Sequence, residues 1–288
     1  MTRWLVTGAG GALGQDLLAA LTGMQAEVVG LDRRSLDITD ATAVEKTLDE
    51  THPDVVLNAA AYTRVDDAER HEDEAARANA DGPGHLARWC AANGSRLIHV
   101  STDYVFPGDA RTPYETDAAT GPTGAYGRTK LAGERAVREA NGDCHVVRTG
   151  WLYGAGGPSF IRAVGRRLTA GEAVDVVTDQ RGAPTWTRDL ALRLIALGGT
   201  PVPPGVWHCS AAGEATWFDV AVALAEALGV PATRVRPTTS AAMKRPAPRP
   251  AYSVLSARRW LDAGLPAMPQ WQQALVEAIG EQREALTG

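Results

Sequence analysis

The stretch Trp4-Leu5-Val6-Thr7-Gly8-Ala9-Gly10-Gly11-Ala12-Leu13-Gly14 decides the fold. A short apolar run reads as a buried strand, and the pattern Leu13–Leu21 beyond the glycines reads as a helix. Glycines 8, 11 and 14 form a GxxGxxG pattern between the two. Glycine permits the tight strand-to-helix turn and lets backbone approach a pyrophosphate closely. The helix N-terminus then offers free N–H groups and a positive dipole end to the anion. A plain tight turn would need glycine too, but the strand–loop–helix setting at the chain start is the one a dinucleotide site requires. Gly8, Gly10, Gly11, Ala12, Leu13 and Gly14 are therefore candidate cofactor-binding residues.

The same alternation continues outward. Glu27–Leu31, Val55–Leu57, Leu97–Ser101 and His145–Arg148 read as strands. Ala41–Glu50, Glu72–Asn93 and Tyr126–Ala140 read as helices between them. Alternating β and α segments predict parallel strands with right-handed crossovers. The expected fold is α/β, a Rossmann-type doubly wound parallel sheet with a smaller mixed α/β C-terminal lobe. Residues 1–150 are expected to form the dinucleotide-binding domain and 151–288 mainly a substrate-binding lobe, part of which can return to the first domain. In that lobe Phe160–Thr169, Thr187–Leu197, Thr216–Leu228 and Pro269–Glu284 read as helices. Val206–Cys209 reads as a short strand, and the proline-rich Met243–Pro250 as irregular.

Composition narrows the function classes. The 288 residues are 44% hydrophobic and 22% charged, ordinary globular values. Lys and Arg total 29 against 34 Asp and Glu, a net charge of −5, which argues against nucleic-acid binding. No apolar run reaches membrane-spanning length, and Met1-Thr2-Arg3-Trp4 leads straight into a strand, so neither a membrane partner nor a signal peptide is expected. Cys90, Cys144 and Cys209 are scattered singly, without disulfide or zinc spacing. A cytoplasmic setting follows as the expectation.

Asp32 ends the second strand, where a carboxylate can bind the adenosine ribose hydroxyls, as NADH requires. Arg33 and Arg34 follow at once and suit the 2′-phosphate of NADPH, unless they are merely solvated loop charges. The cofactor is thus NADPH or NADH. Asp37 and Ile38 come next, beside the adenine. Asn58-Ala59-Ala60-Ala61-Tyr62-Thr63 ends the third strand with small residues that let a cofactor pass.

Tyr126-Gly127-Arg128-Thr129-Lys130 is a YxxxK motif, with both side chains on one helix face. Hydride delivery to a ketone creates an alkoxide that needs a proton. A tyrosine titrates near ~10, and a neighbouring ammonium is expected to lower that value. Lys130 can also hold the nicotinamide ribose hydroxyls. Ser101-Thr102-Asp103-Tyr104-Val105-Phe106 ends the fourth strand, where ligand crevices open. Thr102 is the chosen hydroxyl to polarise a substrate carbonyl. Thr102, Tyr126 and Lys130 form the candidate catalytic set.

These residues resemble the extended short-chain dehydrogenase/reductase family and, within it, the dTDP-4-dehydrorhamnose reductase family. The likeness runs from residue 5 to about 275. It rests on the glycine loop, Leu36–Asp40, Pro53–Thr63, Ser101–Phe106, Tyr126–Glu134, Arg148–Tyr153, Asp179–Thr185 and Arg249-Pro250. The resemblance implies NAD(P)H-dependent reduction of the C4 ketone of a dTDP-linked 4-keto-6-deoxysugar, most simply dTDP-4-dehydro-L-rhamnose to dTDP-L-rhamnose. It implies cofactor contacts from Gly11 to Leu13, Asp37, Ile38, Ala60, Ala61 and Tyr62. It also implies substrate contacts from Val65, Thr102, Asp103, Tyr104, Trp151 and Arg249. Members are described as metal-linked dimers, which leaves a monomer or homodimer and a divalent cation such as Mg as expectations. A core aromatic for Trp151 and a surface ion pair for Arg249 are the plainer alternatives. Gly150 departs from the serine expected before Trp151, and Ala119–Ala125 departs upstream of Tyr126. Both changes leave room for a 4-ketoreductase of another dTDP-deoxysugar. A non-catalytic nucleotide-binding subunit is a third alternative, against which the intact Thr102, Tyr126 and Lys130 stand.

Overall fold

Five strands of the first half stand in one parallel sheet: β1 (Arg3–Thr7), β2 (Glu27–Leu31), β3 (Val55–Asn58), β4 (Arg96–Thr102) and β5 (Cys144–Thr149). The structure is a computed structural model describing residues 2–140 and 142–288. Two further strands, β6 (Val174–Val177) and β7 (Gly205–His208), follow, and β7 joins the sheet beside β5. The spatial order is β7-β5-β4-β3-β1-β2, with every pairing parallel. The order reverses between β1 and β3, and such a switch point opens a crevice at the carboxyl ends of the strands. β3 and β5 are buried along their whole length, as a sheet covered on both faces demands.

The covering helices follow from their apolar stripes. α1 (Ala12–Gly23) buries Leu13, Leu17 and Leu21 on the face that carries Trp4 and Val6. α2 (Ala41–Thr51) buries Val44 and Leu48 on the opposite face, with Leu5 and Val56. α2 starts at Asp40, whose carboxylate accepts the Ala43 amide at 3.0 Å. α3 (Gly82–Asn93) and α4 (Ala125–Glu139) cover the α2 face. The expected single helix Glu72–Asn93 is instead a short helix (Glu72–Ala76), a π-turn (Arg77–Asp81) and then α3. Pro83 has no N–H to give the Asn79 carbonyl, and the widened turn turns that carbonyl against Gly133 of α4.

The later chain forms a second core. α5 (Phe160–Thr169), α6 (Thr187–Gly199), α7 (Trp217–Leu228) and α8 (Trp271–Thr287) lie close to the ranges their periodicity predicts. α7 carries a capping box between Thr216 and Asp219 and stops at Gly229. Residues of α5, α7 and α8, among them Ile161, Leu224 and Leu275, form one buried cluster, whereas Leu190 and Leu194 of α6 pack on the main sheet with α1. Periodicity missed the parallel pair β6 and β8 (Val235–Thr238) that closes the second core. Beyond Met243 the chain to Pro250 has no regular structure, as its prolines predict. Cys90, Cys144 and Cys209 are all buried and free. Among the described residues, no helix is long and apolar enough to cross a membrane.

Candidate active site

A cleft of about 1120 Å³ opens at the carboxyl ends of β1, β3, β4 and β5. At its floor, Gly8 adopts a φ of +70°, and a Cβ there would lie 2.6 Å from the Ala60 nitrogen. A Cβ on Gly14 would collide with the Gly8 carbonyl, so both positions demand glycine. Gly11 begins α1 without a side-chain cap, and the first turn carries no acidic residue. The free amides of α1 are thus available to a pyrophosphate. Gly8, Gly10, Gly11, Ala12, Leu13 and Gly14 all line the cleft, as do Asp37, Ile38, Ala60, Ala61 and Tyr62.

Asp32 lines it too, but its carboxylate is spent on its own turn. Oδ1 accepts from the amides of Arg34 (2.9 Å) and Ser35 (3.0 Å) and from the Ser35 hydroxyl (3.0 Å). Those bonds, led by Ser35, hold the carboxyl below its usual range. Arg34 approaches Oδ2 at 3.4 Å, and Arg33 lies 3.6 Å from Asp37; their side chains are 94% and 74% exposed. The adenosine end therefore offers two solvated guanidinium groups and a carboxylate already engaged.

At the opposite end Thr102, Asp103 and Lys130 are buried. Thr102, Asp103, Tyr104, Tyr126, Lys130, Val65 and Trp151 converge on it. Thr102 ends β4, and its hydroxyl donates to Asp103 Oδ1 at 3.0 Å. Burial pushes the Asp103 carboxyl up to about 6, although hydrogen bonds from Ser253 and Thr102 pull the other way. Burial also pushes the Tyr126 phenol up to about 12. A hydrogen bond with Thr102 lowers it and the Asp103 charge raises it. The expected depression by Lys130 is not what the geometry provides. Lys130 Nζ donates to the Val100 carbonyl at 2.7 Å and faces His99 Nε2 at 3.3 Å. Burial lowers its own ammonium to about 8, against a raising influence from Glu134. The phenol is accordingly a well-protonated acid at neutral pH.

Trp151 holds a left-handed backbone (φ 53°) and stacks on Trp217 with centroids 3.6 Å apart. Gly150 sits tight against Asp103: a Cβ there would lie 2.6 Å from Cγ. Arg249 lies outside the cleft lining, where it pairs with Asp66 at 2.9 Å. Sequence reasoning passed over Asn79, which sits on the π-turn. Its amide binds both the N–H (2.8 Å) and the carbonyl (3.1 Å) of Tyr62 and the Thr129 hydroxyl (3.1 Å), tying the cofactor-side loop to α4. The Gly154–Ser159 segment of the cleft wall was also missed. Pro83, four residues further on inside the expected helix, was the one sequence signal that could have drawn attention to Asn79. Among the described residues, no group of three His, Cys, Asp or Glu could hold a metal ion.

A glycine loop at a doubly wound switch point, facing a Thr–Tyr–Lys set, defines an NAD(P)H-dependent oxidoreductase of the extended short-chain dehydrogenase/reductase class. Comparison with known proteins gives the particular family. The RmlD substrate binding domain matches residues 2–284, and the chain belongs to that family. It is 51% identical over 278 residues to a probable dTDP-4,6-dihydroxy-2-methyloxan-3-one 4-ketoreductase of Streptomyces antibioticus, covering 96% of this chain and 94% of that one. It is 49% identical over 282 residues to a dTDP-4-dehydrorhamnose reductase of Streptomyces griseus, covering 96% and 93%. A crystal structure of dTDP-4-dehydrorhamnose reductase from Bacillus anthracis in complex with NADP superposes with a TM-score of 0.94. It shares 33% identity and covers 98% of this chain and all of that one.

Proposed function

We propose that this chain reduces the C4 ketone of a dTDP-linked 4-keto-6-deoxysugar, with dTDP-4-dehydro-L-rhamnose as its substrate, dTDP-L-rhamnose as its product and NADPH as its cofactor. The observation that carries this reading is the convergence of Thr102, Asp103 and Tyr126 at one end of a cleft whose other end is a glycine loop. The cofactor, when bound, supplies hydride to C4. Tyr126 gives its proton to the C4 oxygen as negative charge develops there, and a phenol that is protonated at neutral pH suits that role. The Thr102 hydroxyl orients and polarises the same oxygen. Lys130 holds ribose hydroxyls. Val65, Asp103, Tyr104 and Trp151 shape the sugar pocket, while Arg249 acts through Asp66 at its margin.

The preference for NADPH rests on the adenosine end. Asp32 is engaged by its own turn, and Arg33 and Arg34 are the exposed charges that a 2′-phosphate would meet.

One observation favours a second reading, another dTDP-deoxysugar as substrate. Gly150 lets Asp103 occupy space that any side chain at 150 would contest, so the pocket wall differs from one with serine there. A relative at 51% identity carries the name of such a ketoreductase. The test is a coupled assay in which freshly generated dTDP-4-dehydro-L-rhamnose is supplied with NADPH or NADH and the sugar product is identified. Rapid oxidation of NADPH with dTDP-L-rhamnose formed is the expected result. A cofactor-binding protein that leaves this sugar untouched but reduces another 4-keto sugar would overturn the substrate assignment.

A further inference from the structure

Trp151 lines the sugar end of the cleft, and its backbone φ of 53° is a conformation that a bulky L-residue adopts only where its surroundings enforce it. Three contacts enforce it. The Trp151 carbonyl accepts the Thr185 amide at 3.1 Å, which anchors the backbone. The indole lies flat on Trp217, with centroids 3.6 Å apart and planes 6° from parallel. The same indole fills the space that a side chain on Gly182 would need: a Cβ there would stand 2.4, 2.6 and 2.7 Å from its Cε2, Nε1 and Cζ2 atoms. Trp217 is backed in turn by Phe160 of α5, with centroids 4.3 Å apart, so it cannot retreat from Trp151 without disturbing the second core. One short ladder delivers both partners. Ala215–Thr216 pairs antiparallel with Arg181–Gly182, which sets Ala215 opposite Gly182 and puts Trp217 at the first turn of α7. The Thr216–Asp219 capping box fixes the direction in which that helix leaves.

Neither Trp217 nor Gly182 lines the cleft, and both reach it through Trp151. We propose that Trp217 is a positioning residue for sugar binding: stacked on Trp151, and with the bare backbone of Gly182 beside the same ring, it fixes the angle at which Trp151 meets the sugar. An indole offers a broad apolar face, and a sugar gains that area only at one tilt of the ring. A freely turning indole would lose its freedom each time the sugar bound, so a ring locked beforehand binds more tightly. The contact is made in ground state and transition state alike. Thr102, Tyr126 and the glycine loop belong to the sheet and its helices, away from the ladder that carries Trp217. The clamp therefore acts on KM and spares kcat. That consequence rests on the reductase reading, whereas the hold of Trp217 on Trp151 does not. An ordinary core aromatic at 217 would stabilise the second lobe and leave KM alone.

The experiment joins NMR to steady-state kinetics on the intact protein. A ring lying flat on another shields its protons, so the Trp151 ring signals, assigned with Trp151→Phe, should lie upfield of the ordinary indole range. Trp217→Leu should return them to that range, and Trp217→Phe, which keeps a flat ring, should hold them upfield. With dTDP-4-dehydro-L-rhamnose, Trp217→Leu should raise KM about tenfold, with kcat within about twofold and NADPH affinity unchanged. Trp217→Phe should stay within about threefold of the wild-type KM. Gly182→Ala displaces the same ring at its other contact and should raise KM in the same way, which keeps the test open if Trp217→Leu fails to fold. Wild-type Trp151 signals in the ordinary range would overturn the proposal. So would a folded Trp217→Leu or Gly182→Ala with wild-type KM, or a Trp217→Leu whose kcat and NADPH affinity fall in step with its rise in KM. Shielded Trp151 signals that Trp217→Leu releases, in a protein that reduces no 4-keto sugar, would uphold the hold of Trp217 on Trp151 and defeat the functional reading instead.

Discussion

The two ends of the cleft are built by opposite means. At the adenosine end, Arg33 and Arg34 stand in solvent, joined to acidic neighbours by exposed contacts of the kind worth little. At the sugar end, Thr102, Asp103 and Lys130 are buried, and burial sets the protonation of Asp103, Tyr126 and Lys130. A buried polar group without its partner is expensive, so the sugar end tolerates little change. The exposed end can be altered at small cost to the fold. On the proposed reading the contrast separates two properties: chemistry rests on the sheet and α4, and cofactor choice on a loop.

Substitutions at each end test that separation. Tyr126→Phe removes the proton donor and leaves the cleft shape intact. Turnover should fall about 10²–10⁴-fold with NADPH affinity retained, measured by steady-state kinetics alongside cofactor titration. Full activity in this variant would break the assignment. Gly150→Ser places a side chain against the Asp103 carboxylate, 2.6 Å from Cγ at its Cβ. Specificity for the sugar, kcat/KM, should drop about 10²-fold while NADPH binding is unchanged.

Asp103 gives a stability prediction with a defined sign. Its carboxyl is raised from 3.8 to about 6 in the folded protein, so the folded state holds the proton more tightly than the unfolded chain. The stabilisation that follows is complete below about pH 4 and is lost as pH rises through 6. Asn cannot titrate. Asp103→Asn should therefore gain up to about 3 kcal/mol relative to the wild type between acid and neutral pH, read from urea unfolding at each pH. The smallest effect belongs to the exposed end. Replacing Arg33 and Arg34 with Ala should raise KM for NADPH about tenfold and leave NADH unchanged, and added salt should shrink the difference.

The same contrast explains what the sequence made legible. β1 to β5 are apolar runs separated by helical periods, and parallel α/β order follows from them directly. The glycine loop, Thr102, Tyr126 and Lys130 carry local motifs, so short-range spacing finds them. The distant residues packed around them do not. Asn58 and His99 are 41 residues apart and become neighbours only through the register of β3 against β4. Asn79 reaches Tyr62 because Pro83 denies an amide to the helix it begins. β6 pairs with β8 across a separation of about 60 residues, and Pro237 hides β8 from any strand pattern. The engagement of Asp32 by Ser35 is likewise a matter of turn geometry, and it decides how the acid and the arginines share the adenosine end.

On the proposed reading one cleft brings the C4 carbonyl to Thr102 and Tyr126 while its far end meets the 2′-phosphate through Arg33 and Arg34. A crystal structure with NADPH and dTDP-L-rhamnose tests this most directly. The C4 oxygen should lie within hydrogen-bond reach, about 2.6–3.2 Å, of both hydroxyls, with guanidinium groups on the 2′-phosphate. A sugar bound with C4 turned away from Tyr126, or a 2′-phosphate held elsewhere, would contradict it.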